Sequence, residues 1–190
     1  MNITPQMHEY YRVLVNRAKA AGDPFPDQFA AQIFQESRFN AAAVGPKTRH
    51  GQAVGIAQIL PSTGKRYGLY ATDLMNPEKA IDAAIKYRRD IASYLVKNGI
   101  QPTSDNILAG YNAGEGRVKQ YKGVPPFHET LHYVKRINHD IPTLFGQGAS
   151  GATGTTPPVA GTSSYHPLLP PTGNPETVSE STSFSPWKPT

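Results

Sequence analysis

Glu36 is the residue in this chain best suited to acid chemistry. It stands between Phe34 and Phe39 in the stretch Gln35-Glu36-Ser37-Arg38-Phe39-Asn40. An apolar setting penalises the carboxylate anion, so such a glutamic acid can hold its proton near neutral pH and deliver it as a general acid. Three more polar clusters punctuate the chain: Gly55-Ile56-Ala57-Gln58, Gly110-Tyr111-Asn112-Ala113-Gly114, and Glu129-Thr130 with Tyr133-Val134. Each falls where a helical pattern meets a loop, which presents functional groups without opening the core. A different chemistry is suggested by His128-Glu129-Thr130-Leu131-His132, two histidines one helical turn apart with a glutamate between, as in zinc proteases. That pattern lacks a third ligand, because His139 falls at the wrong spacing and no acidic partner follows before the tail. The chain has no cysteine, which excludes thiolate metal sites, disulfides and a thiol nucleophile. We expect no metal and no organic cofactor.

The elements that must position these groups read as helices. Thr4-Pro5 offers a cap and a first-position proline, followed by Met7, Tyr10, Tyr11, Leu14 and Ala18 at helix-face spacing as far as Gly22. After the breaker Pro24-Phe25-Pro26 a second helix is predicted from Asp27 to Ser37, with Phe29, Ile33 and Phe34 on one face and Glu36 at its C-terminal end. Residues 40–57 lack periodicity and read as a long loop or a small hairpin at Val44 to Ile56; a short helix is expected at Pro61 to Tyr67. The longest helix starts at Asn76-Pro77, turns Ile81, Ala84, Ile85, Ala92 and Leu95 inward, and stops at Asn98-Gly99. Ser104 or Asp105 caps a segment from Ile107 to Asn112, ended by Gly114 and Gly116, and a last helix is predicted from Glu129 to Asp140.

Composition bounds the rest. The 190 residues carry a formal charge of +5, and residues 146–190 hold only Glu176, Glu180 and Lys188 as charges, leaving +6 on residues 1–145. Such a balance favours polyanionic surroundings, whether nucleic acid, anionic lipid or bacterial cell wall. From Gly146 onward Gly, Pro, Ser and Thr dominate, which predicts a disordered tail over 146–190, with Trp187 and Tyr165 to Pro171 as its candidate docking motifs. No stretch approaches the roughly 20 apolar residues of a membrane span, and residues 1–21 are too polar for a signal-peptide core.

Taken in order, the four clusters resemble the catalytic domain of the soluble lytic transglycosylases, a lysozyme-like fold related to goose-type lysozyme. Glu36-Ser37 matches the family's Glu-Ser signature, and Gly55-Ile56-Ala57-Gln58 is similar to its Gly-Leu-Met-Gln. Tyr111 to Gly114 matches Ala-Tyr-Asn-Ala-Gly with Gly110 for alanine, while Glu129-Thr130 and Tyr133-Val134 match Glu-Thr-x-x-Tyr-Val. The resemblance covers about residues 25–140 and implies a mainly α, lysozyme-like domain over 1–145. It also implies peptidoglycan glycan strands as substrate. The 6-hydroxyl of N-acetylmuramic acid would attack its own anomeric carbon, so that Glu36 serves as acid and then base with no second carboxylate required. Tyr111 would hydrogen-bond the Glu36 carboxyl, Gln58 and Asn112 would line the cleft, and Glu129 would bind saccharide. Capping and loop hydrogen bonds are the plainer roles for Gln58 and Asn112, a core tyrosine is the plainer role for Tyr111, and Ser37 reads as structural. The chain departs from the family at Gly45, which follows Ala43-Val44 where a serine usually helps hold the N-acetyl group. Thr48 is a candidate substitute, and Ala57, smaller than the family residue, a candidate for opening the cleft floor.

Two other functions compete. Hydrolysis of goose-type lysozyme kind, with water as attacker, uses the same residues. A non-catalytic glycan-binding or structural virion protein would draw on the positive charge, including Arg88-Arg89 and the trio Arg117, Lys119 and Lys122, although no aromatic-interleaved basic stripe points to specific nucleic acid binding. Wall-cleaving chemistry without a signal-peptide core places the action in the bacterial cell wall or periplasm. It suggests carriage in a phage virion or delivery by a secretion machine, with the tail as the link to such partners.

Overall fold

Thr4 caps the first helix as its type dictates, accepting a hydrogen bond from the Met7 N–H, and Pro5 occupies the first turn, where its missing N–H costs nothing. In the computed structural model, which describes residues 2–146, this helix is α1 (Pro5–Ala20), and its buried stripe of Tyr10, Tyr11, Leu14 and Ala18 packs on α2 (Pro26–Ser37). The chain continues through α3 (Pro61–Gly64), a 3-10 turn (Lys65–Tyr67), α4 (Ala71–Leu74), α5 (Pro77–Lys97), α6 (Ser104–Ala113), α7 (Glu115–Tyr121) and α8 (His128–Lys135). A π-helical turn (Arg136–Asp140) and α9 (Ile141–Leu144) complete the described residues. The architecture is mainly α, as expected. Between α2 and α3 the chain forms a bridged loop rather than a sheet, with single antiparallel bridges pairing Val44 with Val54, Thr48 with Gly51, and Val54 with Ile59.

Three elements differ from the sequence-based expectation. Gly114 ends α6, yet Gly116 breaks nothing: α7 starts at Glu115 and is anchored by the fully buried Val118. Packing of one inward residue outweighs the modest helix cost of an exposed glycine. The helix expected from Glu129 to Asp140 is α only to Lys135 and then widens into the π turn, with Ile137 and Ile141 buried around it. Such widened turns recur at functional sites. The short α4 adds a further turn, which buries Leu74. The predicted tail lies outside the described residues from 147 onward.

A single aromatic cluster closes the core behind the end of α2. Phe145 stacks on Tyr11 with ring centroids 4.3 Å apart and meets Phe34 edge-on at 5.1 Å. Phe39 joins them, 5.0 Å from Tyr10 and 5.2 Å from Phe34. Arg38 and Phe39 both have left-handed backbone, φ 54° and 65°. Two successive non-glycine residues there cost on the order of 1–3 kcal/mol each, which the burial of Phe39 offsets. The sharp reversal leaves Glu36 and Arg38 at a cleft while Phe39 returns to the core.

Candidate active site

The C-terminal turn of α2, the bridged loop, the end of α6 and one face of α8 surround a cleft of about 700 Å³. Glu36 lies on its floor, opposite Glu129, His132 and Tyr133 from α8 and beside Gly45, Gln58 and Asn112. Each group arrives by a local device. Ser37 pins the loop to α2 by donating from its hydroxyl to the Ile56 carbonyl at 2.7 Å, a structural role as its setting suggested. Gly55 turns the loop with φ +77°, and a Cβ there would stand 1.9 Å from the Leu74 carbonyl oxygen, so only glycine fits. Gln58, itself left-handed at φ 46°, folds its amide back to donate to the Gly55 and Ala43 carbonyls at 2.9 and 3.2 Å. Asn112 accepts from the Thr130 hydroxyl at 2.8 Å, which ties α6 to α8. Both amides therefore brace the cleft as well as line it.

The acid itself is tuned by its surroundings. Burial pushes the Glu36 carboxyl up to about 8, opposed by the hydrogen bond from Tyr133 and reinforced by the negative charge of Glu129. The Tyr133 hydroxyl donates to Glu36 Oε1 at 2.5 Å. Burial, then the neighbouring Glu36 charge, raises the Tyr133 phenol well above its ordinary value, so it remains a donor. At neutral pH Glu36 thus holds a proton, and an adjacent phenol orients it. The cleft wall is cationic: Arg38 and Arg136 both line it, and burial together with the Arg136 charge lowers the Arg38 pKa.

Tyr111, expected from its motif on the Glu36 carboxyl, spends its proton elsewhere, donating to the Ala57 carbonyl at 2.9 Å. It faces Glu36 from a small pocket of about 30 Å³ shared with Gln58 and Asn112, close enough for the Glu36 charge to raise its pKa after burial does. The hydroxyl that donates to Glu36 belongs to Tyr133, four residues along α8 from Glu129 and so on the same helix face. That spacing was the available signal. Thr48 does not replace the family serine, since its hydroxyl is committed to the Gly51 carbonyl at 2.7 Å in the loop turn. Ala57 is fully buried and does not line the cleft, so its small size opens nothing. Arg88 belongs to no surface patch: it is buried in an ion pair with Asp23.

His128 and His132 stand on the cleft rim with parallel rings, centroids 6.4 Å apart. Among the described residues no group of three or more His, Cys, Asp or Glu side chains is arranged to hold a metal. No helix among them is long and apolar enough to cross a membrane.

Comparison with known proteins agrees with this geometry. No solved structure matches the chain. The family model described as Transglycosylase SLT domain matches residues 14–133, which span α1 to α8 and every cleft group named above except Arg136. The match supports lytic transglycosylase activity on peptidoglycan. Matched over more than half of its length, and with Glu36 at the end of α2 lining a cleft of about 700 Å³, this chain belongs to the transglycosylase SLT domain family.

Proposed function

We propose that the chain cleaves the β-1,4 bond between N-acetylmuramic acid and N-acetylglucosamine and leaves 1,6-anhydromuramic ends. Glu36 gives its proton to the departing glycosidic oxygen as the bond to the anomeric carbon breaks. The resulting carboxylate then takes the proton of the muramic 6-hydroxyl as that oxygen bonds to the same carbon. Atoms balance without water, and the intramolecular attack gains from proximity. The observation that carries this reading is the Glu36 carboxyl, held up to about 8 by burial and oriented by Tyr133.

Gln58, Asn112 and Glu129 are the proposed saccharide contacts, with Tyr111 supporting the acid from the small pocket behind it. Arg38 and Arg136 give the wall a charge complementary to peptide-stem carboxylates. Hydrolysis by water has one feature in its favour, the second carboxylate of Glu129 in the same cleft. Mass spectrometry of products released from purified peptidoglycan decides between them. We expect anhydro ends from the intact protein and nothing from Glu36→Gln; reducing muramic ends would replace the cyclising route with hydrolysis, and no product at all would leave a glycan-binding role.

Action in the cell wall, with carriage in a phage virion or a secretion apparatus, completes the proposal. The Gly, Pro, Ser and Thr-rich chain beyond the helical domain supplies a segment that a larger particle could hold. Proteomics of purified particles tests it, and consistent absence from them would remove the virion arm.

A further inference from the structure

Glu36 lines two cavities of very unequal size, the cleft of about 700 Å³ and the pocket of about 30 Å³. Three polar groups around the small pocket are not spent inside the protein. Glu36 engages Tyr133 through Oε1, and Asn112 engages Thr130 through Oδ1. That leaves Glu36 Oε2, Asn112 Nδ2 and the Thr63 hydroxyl, from α2, α6 and α3, without a hydrogen bond to any described residue. Much of the remaining wall is apolar: Ala53, Ile59, Leu60 and the Tyr87 ring, all buried.

Size and chemistry together define the occupant. The volume is about the share of one water molecule in the liquid, so it admits one small polar group. A water molecule would satisfy the polar atoms but set a hydrogen-bonding surface against the apolar wall. A hydroxymethyl group brings a hydroxyl for the first and a methylene for the second. N-acetylmuramic acid carries one such group, at C6, and its oxygen is the attacker in the cyclising route. We propose that the small pocket is the seat of the muramyl C6 hydroxymethyl group, held there by Asn112 and Thr63 beside Glu36, and that by filling it this group keeps water from the reacting carbon. The inference rests on the cyclising route proposed above.

The roles follow from the donors and acceptors present. While Glu36 still holds its proton, the Thr63 hydroxyl accepts from the 6-hydroxyl and Asn112 Nδ2 donates to its oxygen. Once the glycosidic oxygen has left with the Glu36 proton, the carboxylate is the stronger acceptor. It takes the 6-hydroxyl proton as the 6-oxygen bonds to the anomeric carbon. One bond to that carbon replaces another, the proton returns to Glu36, and no water is consumed. The 6-oxygen closes on the carbon only as the ring distorts toward the transition state, so its hydrogen bonds in the seat act on kcat more than on KM.

The experiment digests purified peptidoglycan with the full chain and its variants and compares anhydro with reducing muramic ends by mass spectrometry, with kcat and KM alongside. Thr63→Val keeps the volume and removes the hydroxyl. We expect it to lower kcat about tenfold, the worth of one hydrogen bond, with KM unchanged, and Thr63→Ser to recover most of the loss. Leu60→Ala widens the apolar wall, so that water enters beside the hydroxymethyl group and reducing ends appear alongside the anhydro ones. Should Leu60→Ala fail to fold, the two variants of the half-buried Thr63 decide alone. Given anhydro ends from the intact protein, three results would each overturn the seat and leave the reaction standing: parental kcat for Thr63→Val, a Thr63→Ser protein no faster than Thr63→Val, or anhydro ends alone from a folded Leu60→Ala protein. Reducing ends or no product from the intact protein would overturn the cyclising route and the seat with it.

Discussion

Replacing Glu36 with glutamine should stabilise the fold at neutral pH while abolishing the reaction. The folded chain holds the Glu36 proton up to about 8, whereas the carboxyl titrates at 4.5 when unperturbed. Between these values the unfolded chain binds fewer protons than the folded one, so stability falls as pH rises through that window. Each pH unit costs about 1.4 kcal/mol, which places a ceiling of about 3 kcal/mol on the cost at pH 7. Glu36 is partly open to the cleft, and solvent screening reduces this to about 2 kcal/mol. Glutamine cannot ionise, keeps the shape, and still offers an oxygen to Tyr133. Urea unfolding followed by circular dichroism at pH 4.5, 6 and 7.5 should therefore show Glu36→Gln level with the parent at the lowest pH and increasingly more stable above it. The corresponding gain in Tm at pH 7.5 is about 5 °C. A difference that does not change with pH, or a less stable variant at pH 7.5, would refute the account of Glu36 as a buried protonated acid.

Activity should hold below about pH 8 and fall tenfold per unit above it, as Glu36 loses its proton; a limb near pH 5 would contradict the raised carboxyl. Tyr133→Phe removes the hydrogen bond that holds the Glu36 value down. It should shift the alkaline limb upward and cut kcat on the order of tenfold, while an unchanged profile would deny Tyr133 its role. Gly55→Ala places a Cβ 1.9 Å from the Leu74 carbonyl oxygen on a φ of +77°. Thermal melts should show a loss of more than about 2 kcal/mol. Gly45→Ser brings a Cβ within 2.9 Å of Gln58 Oε1, so the Gln58 amide must shift from its two carbonyl acceptors. The expected cost is about 1 kcal/mol with an altered KM, and a variant with parental stability and KM would show that the two positions are not coupled.

The sequence by itself determined the helices that carry their own signals: the Thr4-Pro5 and Asn76-Pro77 starts, the apolar stripes of α1, α2 and α5, and Glu36 at the end of α2. Those features are local, fixed by capping and by 3.6-residue periodicity, so neighbouring residues suffice to reveal them. The motif order also brought Gln58, Asn112 and Glu129 to one cleft with Glu36. Assignment of the orienting phenol depended instead on how α6 and α8 approach α2, which places Tyr133 on the carboxyl and Tyr111 on the Ala57 carbonyl. The helix α7 carries no legible sequence signal, because one buried valine outweighs a glycine that reads as a breaker. What a side chain at Gly45 would meet is likewise a tertiary matter, since a Cβ there would stand 2.9 Å from Gln58 Oε1. Arg88, which the sequence places in a basic patch with Arg89, lies instead in a buried ion pair with Asp23, 65 positions away along the chain. Buried polar groups choose partners across the core because each must be satisfied there, and only the folded chain determines which of them meet.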